Sequence, residues 1–276
     1  MAHIWAGLTL DRPRVMGILN VTPDSFSDAG THADRDTAIR TGLAMAEAGA
    51  DIIDIGGEST RPGATQVPSD VEIARVVPVI RALAAHGIRI SIDTRNAPTM
   101  AAALDAGATI VNDVSALTFD SRAASVVSER RCPVILMHMR GTPQTMVSLA
   151  HYGDVVAEVR HELSDRVTAA IAAGVAPDRI ALDPGIGFAK TAEQSVELLR
   201  RLDAFVALGY PVVIGVSRKS FIGRLSGEPD TGRRLGGSLA AALHALAHGA
   251  AILRVHDVPE TVQAVRVWRE LSSTNM

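Results

Sequence analysis

Residues 180–187 read Ile-Ala-Leu-Asp-Pro-Gly-Ile-Gly, an apolar run that drives into a carboxylate and then a turn. A strand covered on both faces that ends in an acid carries that acid to its C-terminal mouth. The same grammar recurs. Asp54 follows Ile-Ile and precedes Ile-Gly-Gly, Asp93 ends Ile-Ser-Ile-Asp, Asn112 and Asp113 end Ile-Val-Asn-Asp, and Asn20 ends Met-Gly-Ile-Leu-Asn. A carboxylate binds a pair of adjacent N–H donors with two bonds, as it binds a guanidinium. Asp54 is equally readable as a structural acid inside the fold.

Positive charge gathers elsewhere. One apolar segment ends Ser217-Arg218-Lys219-Ser220, and another ends Arg254-Val255-His256-Asp257. Strand alternation sends Arg254 and His256 to the same side. Arg218, Lys219, Arg254 and His256 are then four groups able to carry positive charge. A loop with paired glycines, Gly56-Gly57-Glu58-Ser59-Thr60-Arg61-Pro62-Gly63, adds anion donors and backbone that can approach a ligand closely. An acidic arc facing a basic one suits a molecule with a hydrogen-bonding ring at one end and phosphates at the other. The plainer alternative is a rim of charges paired to neighbouring acids, with Arg61 incidental in a solvated loop.

These residues need a scaffold that brings strand ends together. Apolar segments rich in Val and Ile occupy 15–21, 50–57, 88–94, 109–115, 133–140, 180–187, 211–218 and 250–257. Between them run helical patterns: Ile39, Leu43, Ala46 and Ala50 share one face, and Leu198, Leu202, Phe205 and Val206 mark another. Gly49, Gly87, Gly107, Gly209 and Gly249 stand where helices give way to strands, the position that favours left-handed backbone. Alternating strands and helices without a composition break predict a single-domain α/β fold, a (β/α)8 TIM barrel over 1–276 with an N-terminal extension at 1–14 packing on it. The chain's 276 residues match the roughly 250 that such a barrel takes. Loops 22–34, 58–69 and 141–152 are long, polar and all follow strands, on the face where this fold does chemistry. The first two are expected to act as lids.

Bulk properties narrow the partners. A formal net charge of −3 argues against nucleic acid or an anionic membrane as the main partner. Cys132 is the single cysteine, so no intramolecular disulfide forms, and it reads as a core thiol in a reducing, cytoplasmic setting. The first residues lack a cationic start and reach Asp11 too soon for a signal peptide. Residues 239–253 are apolar but hold His244 and His248, and fall short of the ~20 residues a spanning helix needs. They read as a helix running into a strand. His138 reads as structural.

The motifs resemble those of the dihydropteroate synthase family, the folate-pathway target of sulfonamides. The likeness covers Val15 to the C-terminal helix. It rests on the runs from Met16 to Asp28, Asp54 to Gly63, Asp183 to Phe188, Ser217 to Lys219 and Arg254 to Asp257. Residues 227–235, with Arg234, match least and carry no expected site beyond loop or dimer contacts.

The resemblance implies a transferase that condenses 6-hydroxymethyl-7,8-dihydropterin diphosphate with p-aminobenzoate, releasing pyrophosphate through an SN1-like C–O cleavage. It implies that Asn112, Asp183 and Lys219 bind the pterin, with Asp93 near the ring to stabilise developing positive charge and Arg254 stacked on its face. Asn20, Arg61, Arg254 and His256 are expected to hold the diphosphate, with Mg²⁺ on Asn20. Thr60, Pro62, Phe188, Lys219 and Ser220 are expected to line the aminobenzoate pocket. Asp93, Lys219, Asn20 and Arg61 form the expected catalytic set, and the family precedent is a homodimer. Two rivals share parts of the pattern: a pterin barrel of a corrinoid methyltransferase, which needs no diphosphate clusters, and a non-catalytic pterin-binding paralogue. A metal-dependent hydrolase on this fold would want His-x-His where the chain has Asn20-Val21-Thr22.

Overall fold

The computed structural model describes residues 4–22, 32–61 and 63–272. Most of the expected first lid (23–31) and Pro62 of the second lie outside the described residues. A short antiparallel hairpin opens the chain, β1 (Ile4–Trp5) and β2 (Leu8–Thr9), turned at Ala6 and Gly7, both with positive φ. Eight further strands follow: β3 (Arg14–Asn20), β4 (Ile52–Gly56), β5 (Ile90–Asp93), β6 (Ile110–Asp113), β7 (Val134–Met137), β8 (Ile180–Asp183), β9 (Val213–Ile214) and β10 (Ile252–Val255). Each lies within one of the predicted apolar segments or within a residue of it.

These eight are parallel to their neighbours, in the order β8-β7-β6-β5-β4-β3-β10-β9. A parallel bridge between Leu182 and Val212 joins the two ends and closes the ring. Helices lie between successive strands: α1 (His32–Glu47), α2 (Ser69–Ala84), α3 (Ala97–Asp105), α4 (Ala123–Arg130), α5 (Val155–Ala172), α6 (Ala192–Arg200), α7 (Asp203–Val206), α8 (Ser220–Ser226) and α9 (Leu235–Ala247). The last, α10 (Val258–Ser272), follows β10. The fold is a (β/α)8 barrel. Among the described residues no helix is long and apolar enough to cross a membrane.

Local chemistry explains the boundaries. Gly49, Gly87, Gly107, Gly209 and Gly249 all take positive φ after their helices. Asp154 caps α5 by accepting from the Val156 and Ala157 amides. Thr191 and Gln194 form a reciprocal capping box on α6, which fixes where the loop after β8 ends. The loop 141–152 is not wholly irregular: Met146–Leu149 makes one 3₁₀ turn.

Strand alternation sorts the side chains into two cores. Outward residues such as Val15, Leu19, Ile53 and Ile55 pack with Val76, Val79, Ile80 and Leu83 of α2 in one continuous apolar layer. Inward residues Met16, Ile52, Ile110, Ile135, Ala181, Val213 and Ile252 form a separate cluster around Trp5. Trp5 closes the N-terminal end of the barrel, 1% exposed, and its Nε1 donates to Arg179 C=O at 3.0 Å. Two residues further along each strand the inward position lies one layer higher, and there the chain places most of its polar groups.

Trp5 thus forms the floor on which that polar layer stands. Trp5→Ala is expected to cost about 3–5 kcal/mol, the usual penalty for emptying a buried aromatic site. Urea unfolding measures it, and a loss below about 1 kcal/mol would show that the hairpin does not plug the barrel.

Candidate active site

The upper inward layer consists of Ile18, Asp54, Asp93, Asn112, Met137, Asp183, Gly215 and Arg254, each two residues beyond an inward position of the floor layer. On β5 that lower position is Ser91, and Ile90 and Ile92 face outward. The strands therefore converge on one polar mouth, lined by Thr60, Asn112, Asp183, Phe188, Lys219 and Arg254 among others.

Arg254 is the centre of this layer. Its Nε donates to Asp54 at 2.6 Å and its Nη2 to Asp93 at 2.5 Å. Burial alone would weaken the guanidinium's hold on its proton, but Asp54 and Asp93 outweigh it and raise its pKa. The same Asp54 oxygen accepts Asn112 Nδ2 at 3.0 Å, which leaves the Asn112 amide oxygen as an acceptor for another donor. Asp54 Oδ1 and Asp93 Oδ1 are buried without a hydrogen-bond partner. Buried oxygens of this kind call for donors from a ligand. Burial pushes Asp93 up to about 7, with Arg254 opposing and Asp54 adding to the rise.

Asp183 ends β8 and accepts the Gly185 amide at 2.7 Å. Burial raises its pKa, against that hydrogen bond and the charge of Lys219. Lys219 Nζ sits 4.0 Å from the centre of the Phe188 ring, a cation–π contact, and burial brings its pKa down to about 8. Asp183, Phe188 and Lys219 thus form one wall. Asp113 points away from it and ties the turn after β6, accepting the Ser115 and Leu117 amides.

The basic corner differs in part from expectation. Arg218 turns out to the rim and pairs with Asp257. His256 Nδ1 lies 3.0 Å from Ser217 Oγ, and burial, with Arg254 and Arg218 beside it, lowers its pKa to about 4. It is a neutral donor or acceptor at neutral pH, not a resting cation. Arg234 binds the carbonyls of Arg218, Glu228 and Pro229, so it laces residues 227–235 to the turn between β9 and α8.

Thr60 reaches the mouth from the loop after β4. Arg61 and Ser220 are exposed and do not line the open space, and Pro62 lies outside the described residues. Asn20 stands half-buried at the end of β3, opposite Gly56 in the sheet, and Asp93 flanks Gly56 on the other side. Glu58 anchors the loop's base. It accepts Arg95 at 3.1 and 3.2 Å and the Val67 amide at 3.0 Å, while Arg95 covers Phe119. Farther out, the Gly63 amide donates to Pro143 C=O at 2.9 Å, joining this loop to the one after β7. The sequence reading missed Glu58 and Lys190 as organisers. Lys190 follows the Asp183–Phe188 motif by two residues, and that proximity is the only signal its sequence offers.

Comparison with known proteins agrees with this geometry. Residues 16–256 match the pterin binding enzyme family. The dihydropteroate synthase of Synechocystis sp. is 49% identical over 263 residues, covering 94% of this chain and 91% of its own. The structure of Xanthomonas albilineans dihydropteroate synthase with 4-aminobenzoic acid superposes with a TM-score of 0.92 at 50% identity, over 98% of this chain and 97% of that one. The same enzyme in complex with 7,8-dihydropteroate gives 0.89 at 47% identity, over 97% of each chain. The chain belongs to the pterin-binding enzyme family, among the transferases called dihydropteroate synthases.

Proposed function

We propose that the chain joins 6-hydroxymethyl-7,8-dihydropterin diphosphate to p-aminobenzoate, forming 7,8-dihydropteroate and pyrophosphate. The observation that carries this reading is the single mouth in which Asp54, Asp93, Asn112 and Asp183 face Arg254 and Lys219. A pterin offers an amino–imino edge that a carboxylate binds with two hydrogen bonds, and Asp183 takes that edge. Asn112 and Lys219 take the remaining ring donors and acceptors. The Arg254 guanidinium covers the ring face and reaches the diphosphate, with Asn20, Arg61 and His256. The aminobenzoate lies against Phe188, Lys219, Thr60, Pro62 and Ser220. The molecules bound in the two Xanthomonas structures are this reaction's second substrate and its product, which supports the reading.

The C–O bond breaks first and pyrophosphate departs with its electron pair; the arylamine nitrogen then bonds to the pterin methylene carbon, and the amine proton passes to solvent or to the pyrophosphate. An electron-rich dihydropterin carries the transient positive charge on that carbon, and Asp93 stabilises it. An arylamine is already nucleophilic, so no strong general base is required. The loop after β4, which brings Thr60 to the mouth, helps keep water from the cation.

Mg²⁺ belongs to the same reading. A Cβ on Gly56 would meet only ordinary contacts, 3.8 Å from Asn20 Oδ1 and 3.7 Å from the Asp93 oxygen that Arg254 already holds, so the small glycine leaves room beside the Asn20 amide oxygen at this strand end. Such an oxygen fits an ion usually held by one or two protein groups and substrate phosphates, and Asn20 is the residue that would hold it. When bound, the ion would neutralise charge on the leaving pyrophosphate.

The reading extends to a cytoplasmic homodimer, which the lone cysteine and exposed Leu225, Val267 and Leu271 on α8 and α10 support. A monomer by sedimentation at micromolar protein would remove the dimer. Turnover of the two substrates, followed by pyrophosphate release, tests the whole proposal, and no turnover would end it.

Asp183→Asn is expected to lose roughly ten- to a hundredfold in pterin affinity, because the amide presents a donor to a donor. Calorimetry measures this, and unchanged affinity would put the ring elsewhere. A second expectation concerns binding order. The aminobenzoate pocket borrows Thr60 from a loop with little apolar surface to hold it closed. p-Aminobenzoate or a sulfonamide should bind more tightly with Mg²⁺-pyrophosphate present, by about 1–3 kcal/mol, and reciprocally. Arg61→Ala should shrink that coupling. Equal sulfonamide affinity with and without Mg²⁺-pyrophosphate would exclude a pocket built by the loop.

A further inference from the structure

Behind the Asp183–Phe188 turn runs a chain of polar groups that the proposed substrate contacts leave unexplained. Lys190 folds its side chain back beneath the turn and is buried. Its ammonium donates to Phe188 C=O at 2.8 Å and lies 2.9 Å from His138 Nδ1 and 3.4 Å from His138 C=O. Burial lowers the Lys190 pKa to about 7, against the pull of Asp183 and Glu162, and in its ammonium form the group has three donors and no acceptor, so His138 Nδ1 accepts. The ring proton then sits on Nε2, which donates to Glu162 at 2.9 Å. Burial lowers His138 to about 4, which keeps the ring neutral. Its hydrogen bond and that of Arg140 hold Glu162 down at about 2. Arg140 lies over Tyr152, 3.9 Å from the ring centre, and ends the chain near the surface.

The turn has no slack against this support. The His138 amide donates to Asp183 C=O at 2.9 Å. Gly185 has φ +69°, and a Cβ there would fall 2.0 Å from His138 C=O. On the other side of the turn, the Phe188 ring rests on the Lys219 ammonium. Two lysines therefore hold one residue, Lys190 by its carbonyl and Lys219 by its ring.

We propose that Lys190 is a positioning residue for the arylamine subsite: with His138 as its acceptor, it pins the Phe188 backbone so that the ring stays over Lys219. The proposal rests on the reading that Phe188 and Lys219 border the p-aminobenzoate pocket. Lys190 touches no substrate. Its effect appears mainly in aminobenzoate use, because the pterin contacts Asp183, Asn112 and Arg254 lie on strand ends held by the sheet and the Lys219 ammonium itself is left in place.

The test is steady-state kinetics and pterin-diphosphate calorimetry on the full chain with Lys190→Met, which keeps the side chain's length and removes its charge. The KM for p-aminobenzoate should rise roughly tenfold or more, the effect of losing a hydrogen bond to a charged group. Pterin-diphosphate Kd should stay within about twofold. His138→Leu should reproduce the KM rise. His138→Asn should restore it, because an amide oxygen takes the place of Nδ1, and this pair decides the matter if Lys190→Met does not fold. Nitrogen-15 NMR of the wild-type protein should show His138 protonated on Nε2 and bare on Nδ1. An unchanged aminobenzoate KM in Lys190→Met and His138→Leu, or a proton on Nδ1, would overturn the proposal. A wild-type chain that does not turn over p-aminobenzoate would instead remove the reading of the pocket on which the proposal rests.

Discussion

Everything at the mouth of this barrel depends on one guanidinium. Three buried carboxylates, Asp54, Asp93 and Asp183, share a space only a few residues wide, and isolated buried carboxylates are costly. Arg254 spans two of them, and Lys219 lies near the third. The pairing is left incomplete, because one oxygen on Asp54 and one on Asp93 remain without partners. A cluster that satisfied every oxygen internally would be a structural salt bridge. This one keeps acceptors available on Asp54 and Asp93, and burial raises the pKa values of Asp93 and Asp183, which is the electrostatic pattern of a binding site.

The layer below makes that arrangement affordable in volume as well as charge. Because strand side chains alternate, each inward polar group stands directly above an inward residue of the floor, most of them apolar. Met16, Ile52, Ile110, Ile135, Ala181, Val213 and Ile252 meet at Trp5, so water has no route from beneath. The site opens upward, towards the loops that follow β4 and β7. Those loops are linked to one another by the Gly63–Pro143 hydrogen bond and rooted by the buried Glu58–Arg95 pair.

Strand ends were legible because their signal is local. An apolar run, an acid and a turn sit within eight residues at Asp183, and positive-φ glycines punctuate the helices that precede the strands. What sequence reading could not reach is set by distance along the chain. His138 and Lys190 are 52 positions apart and meet only once β7, α5 and β8 lie side by side. Glu58 and Arg95, 37 apart, were visible as residue types but not as partners. The outward turn of Arg218 onto Asp257 was hidden for another reason. Arg218 takes φ +59°, a left-handed turn that strand alternation does not anticipate. Burial likewise converts His256 from an apparent cation into a neutral ring.

The ring is unevenly laced. β3 and β4 pair over five registered residues, whereas β9 has only Val213 and Ile214, and it meets β8 through the lone Leu182–Val212 bridge and the Leu182 amide on Pro211. That thin seam runs between the strand that presents Asp183 and the strand that leads to Lys219. Local opening begins where backbone hydrogen bonds are fewest. The thinnest backbone seam of the barrel therefore lies on its ligand wall, between Asp183 and Lys219. A ligand bridging that seam would act as the missing rungs of the ladder, so binding and barrel closure draw on the same few contacts.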